Sequence, residues 1–391
     1  MMKPLLLISR CRPRIRRSLA SPSNGISIIE RRCVSTDPRP FEVLENTNFD
    51  LEDGDSDGDE PHNKKRLDIA IVGYPNAGKS QLLNALLGTK VAAVSRKRHT
   101  TRNGILGVRT QDSTQLVFCD TPGFMTHVND KVGRDLAMTA KGHMRNVDHS
   151  LVVIDAAKAK LSPDYTDTIR SLLWNAASTK FSIVLNKVDL VKPKTKLLDA
   201  AQVFGSMADQ MILEKMKHAN PQLAQHPNLP HTPPPALMPE IFYTNARQGQ
   251  NDPGVQDVIH HLQSVADDMA EYRDWFLPEA HMVTPMDYAA RVEEIIREKL
   301  YRQLHREVPH QILQRNRQCE LVRNDTDSTG GVLVIHQDLL VRTKAHLQLL
   351  QKSGGTNLLR IHDAAVPELR RLFQCEVLLT LTAKLITKNR R

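Results

Sequence analysis

Nothing in this 391-residue sequence restricts the fold more tightly than Gly73-Tyr74-Pro75-Asn76-Ala77-Gly78-Lys79-Ser80, which fits the phosphate-binding pattern G-x-x-x-x-G-K-[ST]. That pattern needs a strand running into the loop and a helix leaving it. Leu67 to Val72 is a short, nearly continuous apolar run suited to a buried parallel strand, and Gln81 to Leu87 reads as a helix stopped by Gly88. Gly73 and Gly78 let the backbone curl so that successive N–H groups face one concavity, to which the helix N-terminus adds positive potential. Lys79 then reaches the β- and γ-phosphates of a nucleotide, and the Ser80 hydroxyl ligates Mg²⁺.

A phosphate loop leaves the base and the reaction open, since kinases and ATPases share it. Three further motifs narrow the choice. Asp120-Thr121-Pro122-Gly123 follows the apolar run Gln115 to Cys119; an aspartate at the C-terminal end of a strand can hold the Mg²⁺ shell, and the Gly123 N–H can sense the γ-phosphate. Asn186-Lys187-Val188-Asp189 follows Phe181 to Leu185. There Asp189 can accept from guanine N1–H and the exocyclic amine, whereas adenine has an acceptor at N1 and no such amine. Asn245-Ala246, after Ile241 to Tyr243, can offer a backbone N–H to guanine O6. In this order, each after a predicted strand, the motifs point to a GTP/GDP site with Mg²⁺. The other reading of such a loop, a P-loop kinase, has no use for Asn186-Lys187-Val188-Asp189.

With Ser150 to Ile154 added, the alternation of apolar runs and helical stretches predicts an α/β domain over 67–275, a mostly parallel sheet with helices on both faces. The interval 190–240 is long for one crossover. It is read as a surface insertion with a helix at about 195–218 and a loop from Pro221 to Pro239, whose Pro233-Pro234-Pro235 tip is expected not to be helical. From 285 the pattern changes. Asp287 to Leu304 has helical spacing, and Ile312 to Val322 and Val332 to Val341 are extended on either side of the turn-rich Asn324 to Gly331. A short helix near Leu347 to Gln351, a glycine pair, a helix to about Phe373 and a strand from Cys375 to Leu385 complete a smaller α/β module over 285–391.

The net charge of +9 is unevenly spread: residues 1–41 hold nine Lys/Arg against two acids, and residues 42–60 hold nine acids and no Lys/Arg. The Arg-rich opening has no acid before Glu30 and reads as an organelle transit peptide over 1–40. Leu5 to Ile8 is too short for the core of a secretory signal; a basic arm on nucleic acid is the remaining alternative. Residues 41–66 are too acidic and too poor in apolar side chains to pack, and are read as a linker. The rest of the chain is basic, as a nucleic-acid partner would require, or simply solvated. No run of 18 apolar residues exists, so any membrane contact is expected to be peripheral. Cys11, Cys33, Cys119, Cys319 and Cys375 form no C-x-x-C pair, which argues for a reducing compartment and against a structural zinc site.

These residues together resemble the Era-type GTPases. The resemblance rests on residues 73–80, on Ser95-Arg96-Lys97-Arg98-His99-Thr100-Thr101-Arg102, on Asp120 to Phe124, on Asn186 to Asp189, and on Ile295-Ile296-Arg297-Glu298-Lys299-Leu300 followed by Arg306-Glu307-Val308-Pro309; it covers 67–385. It implies a GTPase domain followed by a type II KH α+β domain that binds the 3′ region of small-subunit ribosomal RNA. With the leader, the chain resembles the mitochondrial members. That implies a place in the matrix, the small ribosomal subunit as partner, peripheral inner-membrane contact at most, and a monomer when free. The resemblance further implies that Thr100 or Thr101 closes onto Mg²⁺ and the γ-phosphate, and that Asn76 helps bind a K⁺ acting in place of an arginine finger. Phe124 stands where Ras-like GTPases carry the water-orienting glutamine, so hydrolysis is expected to be slow without help.

Two departures stand out. Asn245 replaces the usual serine before Ala246. The G-x-x-G of the KH module falls on Lys352-Ser353-Gly354-Gly355, where only the last glycine matches, and such a loop needs glycines because the RNA backbone comes close. Lys352, Gly354, Gly355 and Arg360 form the expected RNA-contacting set, with Lys352 available for a phosphate. The expectation is a GTP-hydrolysing switch that assists small-subunit assembly. Its rivals are a non-catalytic nucleotide-sensing RNA chaperone and a GTP-regulated protein-interaction switch without RNA.

Overall fold

The computed structural model describes residues 27–29, 64–95, 104–121, 147–158, 162–220, 232–269, 272–305, 307–322 and 331–386, with backbone alone at 27–29 and 352–354. Most of the expected leader and of the acidic linker, with Thr100, Thr101, Gly123, Phe124 and the side chain of Lys352, therefore lie outside the described residues, and Gly354 is described by its backbone trace alone. The chain divides into two compact units, Leu51–Arg302 and Gln303–Arg391 together with Met1–Asp50. Strand β1 (Ser27–Ile29), inside the stretch read as leader, belongs to the latter.

The larger unit is built on a six-stranded sheet: β2 (Lys65–Gly73), β3 (Ile105–Gln111), β4 (Thr114–Asp120), β5 (His149–Asp155), β6 (Lys180–Asn186) and β7 (Ile241–Thr244). Their spatial order is β3-β4-β2-β5-β6-β7, parallel throughout except for the β3–β4 hairpin. The predicted strands recur with extended ends, and β2 starts at Lys65, inside the stretch read as linker. Strand β3 was not anticipated. It carries Gly107 and Arg109 amid its apolar residues, and its place is set by pairing with β4 rather than by its own pattern.

Because successive strand residues point to opposite faces, Leu67, Ile69 and Ile71 of β2 join one core and Ala70 and Val72 the other. The first core is covered by α1 (Lys79–Leu87) and a later helix at Pro253–Asp267. The second is covered by α2 (Pro163–Ala176) and α3 (Lys196–Ala219), and the Pro253–Asp267 helix is α4. Helices α2 and α4 begin alike, with a capping side chain (Ser162, Asp252) and proline in the first turn.

Two sequence readings are corrected here. The interval 190–240 is not simply a surface insertion, because Phe204, Met207, Ala208, Met211 and Ile212 of α3 are buried in the sheet's second core. Within the proline tip, Pro235–Leu237 forms a 3₁₀ turn, which proline tolerates in a first turn where its missing N–H is not needed.

Residues 272–286 run along the edge of the sheet and close it. Val108 N–H of edge strand β3 donates to Val283 O at 2.8 Å, and Thr284 Oγ1 donates to Leu106 O at 2.8 Å. The buried Gln115 accepts from the N–H of Phe276 (2.6 Å) and Leu277 (3.0 Å) and donates to Leu277 O at 3.0 Å. Helix α5 (Tyr288–Gln303) follows. The sequence assigns it to the second module; the division of the chain falls at Arg302/Gln303, near its end.

The smaller unit has the sheet order β1-β10-β9-β8, with β8 (Leu313–Val322) antiparallel to β9 (Val332–Val341), β10 (Glu376–Leu385) parallel to β9, and β1 antiparallel to β10. The parallel pair is joined by α6 (Lys344–Phe373), which packs on β10. The expected helix, glycine pair and second helix form one assigned helix instead. Gly355 inside it has φ +90°, a non-helical conformation that favours glycine, and Asn357 Nδ2 reaches back across it to Leu349 O at 2.8 Å. Leu358 and Ile361 beyond it are buried, while Arg360 is exposed.

Candidate nucleotide site

The motifs converge at the C-terminal ends of β2, β4, β5, β6 and β7, where ligands bind in open parallel sheets. Glycine is needed at 73 and 78 for more than loop curvature. A Cβ on Gly73 would sit 2.4 Å from Val153 O of β5, and one on Gly78, at φ +100°, would sit 2.3 Å from Asn186 Nδ2. Gly78 is the N-cap of α1, and no side chain caps that end, so the helix presents its positive pole to the loop.

Lys79 is buried, with Nζ 3.2 Å from Gly73 O and 3.4 Å from Tyr74 O. Burial pulls its pKa down to about 8, opposed by the charge of Asp120. Ser80 Oγ donates to Asp120 Oδ2 at 2.5 Å, so the two residues expected to share a cation shell already meet. Thr121, the next residue, is pinned to Ile71 O by its N–H (3.2 Å) and its hydroxyl (2.9 Å).

Asn186 ties the loops together. Its Nδ2 donates to Ala77 O in the phosphate loop at 3.0 Å, and its Oδ1 accepts from Thr244 Oγ1 and from the Ala246 N–H, both at 3.2 Å. The Ala246 donor expected to meet guanine O6 is thus engaged here by Asn186, and contact with O6 requires that this bond be shared or given up. Lys187, at φ +65°, donates to Asn76 O at 2.5 Å and to Asp155 Oδ2 at 2.6 Å. The exposed Asn76 also has φ +65°. Asp189 Oδ1 is closed off from solvent and has no hydrogen-bond partner among the described residues. An orphaned acceptor at that depth is costly unless a ligand supplies the donors, and guanine N1–H and its amine are such donors.

Asn245 N–H donates to Asp252 Oδ1 at 3.1 Å, and the same oxygen caps α4 through Val255 N–H at 3.1 Å. Asp252 therefore braces the loop through the main chain of residue 245. Sequence reasoning missed Asp252, Thr244, Asp155 and Gln81, whose Nε2 donates to Ala246 O at 3.2 Å. The D-P-G run at 252–254 was a readable cap signal; the other three have none.

Residues 68–187 match the sequence model of a family described as 50S ribosome-binding GTPase. The mitochondrial GTPase Era of Danio rerio is 32% identical over 357 residues, covering 84% of this chain and 77% of its own length. The chain belongs to the Era family of GTPases. GTPase Era of Ectopseudomonas mendocina is 30% identical over 318 residues, 81% of this chain and 90% of its own. Two solved Era structures superpose with TM-score 0.60 at 26% identity, each spanning 83% of this chain and 95% of its own: Aquifex aeolicus Era bound to GDP·AlF₄⁻, and an Era bound to MgGDPNP and nucleotides 1506–1542 of 16S ribosomal RNA.

As an Era GTPase the chain hydrolyses GTP, and its residues suit the nucleotide and the ion. Ser80 and Asp120 supply the hard oxygen donors Mg²⁺ prefers. A Mg²⁺ held by these two residues would neutralise charge on the phosphates. Gly73 to Lys79 would cradle the phosphates, Lys79 would add its charge, and Asp189 would select the base. Among the described residues no helix is long and apolar enough to cross a membrane.

Proposed function

We propose that this Era-family GTPase binds the 3′ region of small-subunit ribosomal RNA through its C-terminal KH-like unit, and that the GTP state governs its use in assembling the mitochondrial small subunit. The observation that carries the reading is the likeness to the Era bound to MgGDPNP and 16S ribosomal RNA, which spans 83% of this chain and so extends past the GTPase unit. The positive-φ Gly355 within α6 and the exposed Arg360 after it suit a KH loop facing a phosphate backbone. Lys352 and Gly354 belong to the same contact set in this reading.

The arginine-rich opening and the mitochondrial relative support import into the matrix. Thr100 or Thr101 completes the Mg²⁺ shell, the Gly123 N–H meets the γ-phosphate, and K⁺ held near Asn76 speeds hydrolysis, since Phe124 cannot orient water. Equal turnover in Na⁺ and K⁺ buffers would remove the K⁺ role. The main reading is tested by crosslinking the protein to RNA in mitochondria and sequencing the recovered fragments. Enrichment of the 3′ end of small-subunit ribosomal RNA is expected, and its absence would overturn the assembly role.

A further inference from the structure

Residues 91–94 leave α1 and lead toward Thr100 and Thr101, and two helices hold their backbone. From α1, Asn84 Oδ1 accepts from the N–H of Val91 and Ala92, both at 2.9 Å, and Asn84 Nδ2 donates to Ala92 O at 2.9 Å. From α5, Glu294 Oε2 accepts from the Ala93 N–H at 3.3 Å and Glu298 Oε2 from the Val94 N–H at 3.0 Å. Glu294 and Glu298 are four residues apart, hence on one face of α5, and they meet two consecutive amides.

Glu298 is fully buried. It also accepts from Lys90 Nζ at 2.6 Å, on the same segment, and from Arg302 at 2.8 Å, on its own helix. Glu294 pairs with Arg297. A buried, paired carboxylate adds little stability over a well-packed apolar side chain. What it does provide is a charge-assisted, directional bond to the main chain. Stability of α5 alone therefore gives no reason for two such groups, whereas fixing residues 93 and 94 does.

We propose that Glu294 and Glu298 are positioning residues for GTP hydrolysis, fixing the main chain at 93 and 94 and so making turnover depend on the placement of α5. The last residue of α5, Gln303, opens the second unit, so a ligand that shifts this helix alters turnover. The RNA arm of this inference rests on the function proposed above; the turnover arm does not.

The test uses the full-length chain and its Glu294→Gln/Glu298→Gln double variant, which keeps side-chain shape and loses the charge. Three quantities are read: affinity for fluorescent GDP, steady-state kcat and KM for GTP, and kcat with a synthetic RNA of the 3′-terminal small-subunit sequence. GDP affinity and KM are expected within about twofold of the parent, with kcat about tenfold lower. RNA is expected to change kcat in the parent but not in the double variant, while both bind it equally. Should the double variant not fold, the single Glu298→Gln variant, which loses the charged acceptor of the Val94 N–H and keeps Glu294, carries the same expectation in smaller degree. Unchanged kcat overturns the proposal. So does a parallel loss of GDP affinity and kcat, the pattern of general loosening. If RNA neither binds the parent nor alters its turnover, the RNA reading falls, and the split between kcat and KM still decides the role of the two carboxylates.

Discussion

A single amide, that of Asn186, joins the phosphate loop to the guanine loop through Ala77, Thr244 and Ala246. Replacing Asp189 by Asn turns the acceptor facing guanine's exocyclic amine into a donor, so GTP affinity should fall at least about a hundredfold while xanthosine triphosphate, which carries a carbonyl in place of that amine and keeps N1–H, is gained; competition of both nucleotides against fluorescent GDP reads this. Lys79 gives a second prediction. Its pKa in the free protein is about 8, and triphosphate favours the charged form, so binding takes up a proton above pH 8. GTP affinity should be level below pH 8 and fall by up to about tenfold per unit above it, with proton uptake visible by calorimetry in buffers of different ionisation enthalpy. The candidate contact residues were legible because each motif needs a particular chemistry at a particular spacing. Their supports, Thr244 and Gln81, were not, since a hydrogen bond across 58 or 165 residues leaves no local pattern.

Elements with a strong period were readable, and elements fixed by neighbours were not. The apolar runs of β2, β5 and β6 are buried on both faces and need no context. Strand β3 exists because β4 and the 272–286 segment bond to its two edges. Helix α3 was seen but misplaced, because its length suggested an insertion while the burial of Phe204, Met207 and Ile212 makes it a covering helix. Helix α4 gives a prediction at this scale. Asp252 both caps it and holds Asn245, so Asp252→Ala should cost about 1 kcal/mol in chemical denaturation and also weaken GDP binding. Asp252→Asn, which keeps an acceptor oxygen, should recover most of both. Loss of stability with unchanged GDP affinity would separate the cap from the guanine loop.

The chain carries a nucleotide unit and a second sheet whose composition alone did not name its ligand; the degenerate Lys352-Ser353-Gly354-Gly355 loop was the weakest signal in the chain. Its stability should depend on acid through the opposite end of the larger sheet. Buried His149, hydrogen-bonded to Ser182 at 2.9 Å, has its pKa lowered to about 3 by burial, then by His261 and Lys180. The unfolded chain binds this proton near pH 6.5 and the folded one does not. Stability should therefore be full above pH 6.5 and decline toward pH 3, by about 2 kcal/mol at pH 5 from this group. Denaturant melts of the parent and of His149→Phe, which lacks the group, should differ in that slope. The coupling of the two units is tested most directly by the affinity of the full-length chain for the 3′-terminal small-subunit RNA, measured by fluorescence anisotropy with Mg²⁺ and either GDPNP or GDP. Binding about tenfold tighter in the GDPNP state is expected, and equal affinity in the two states would contradict a GTP-governed RNA switch.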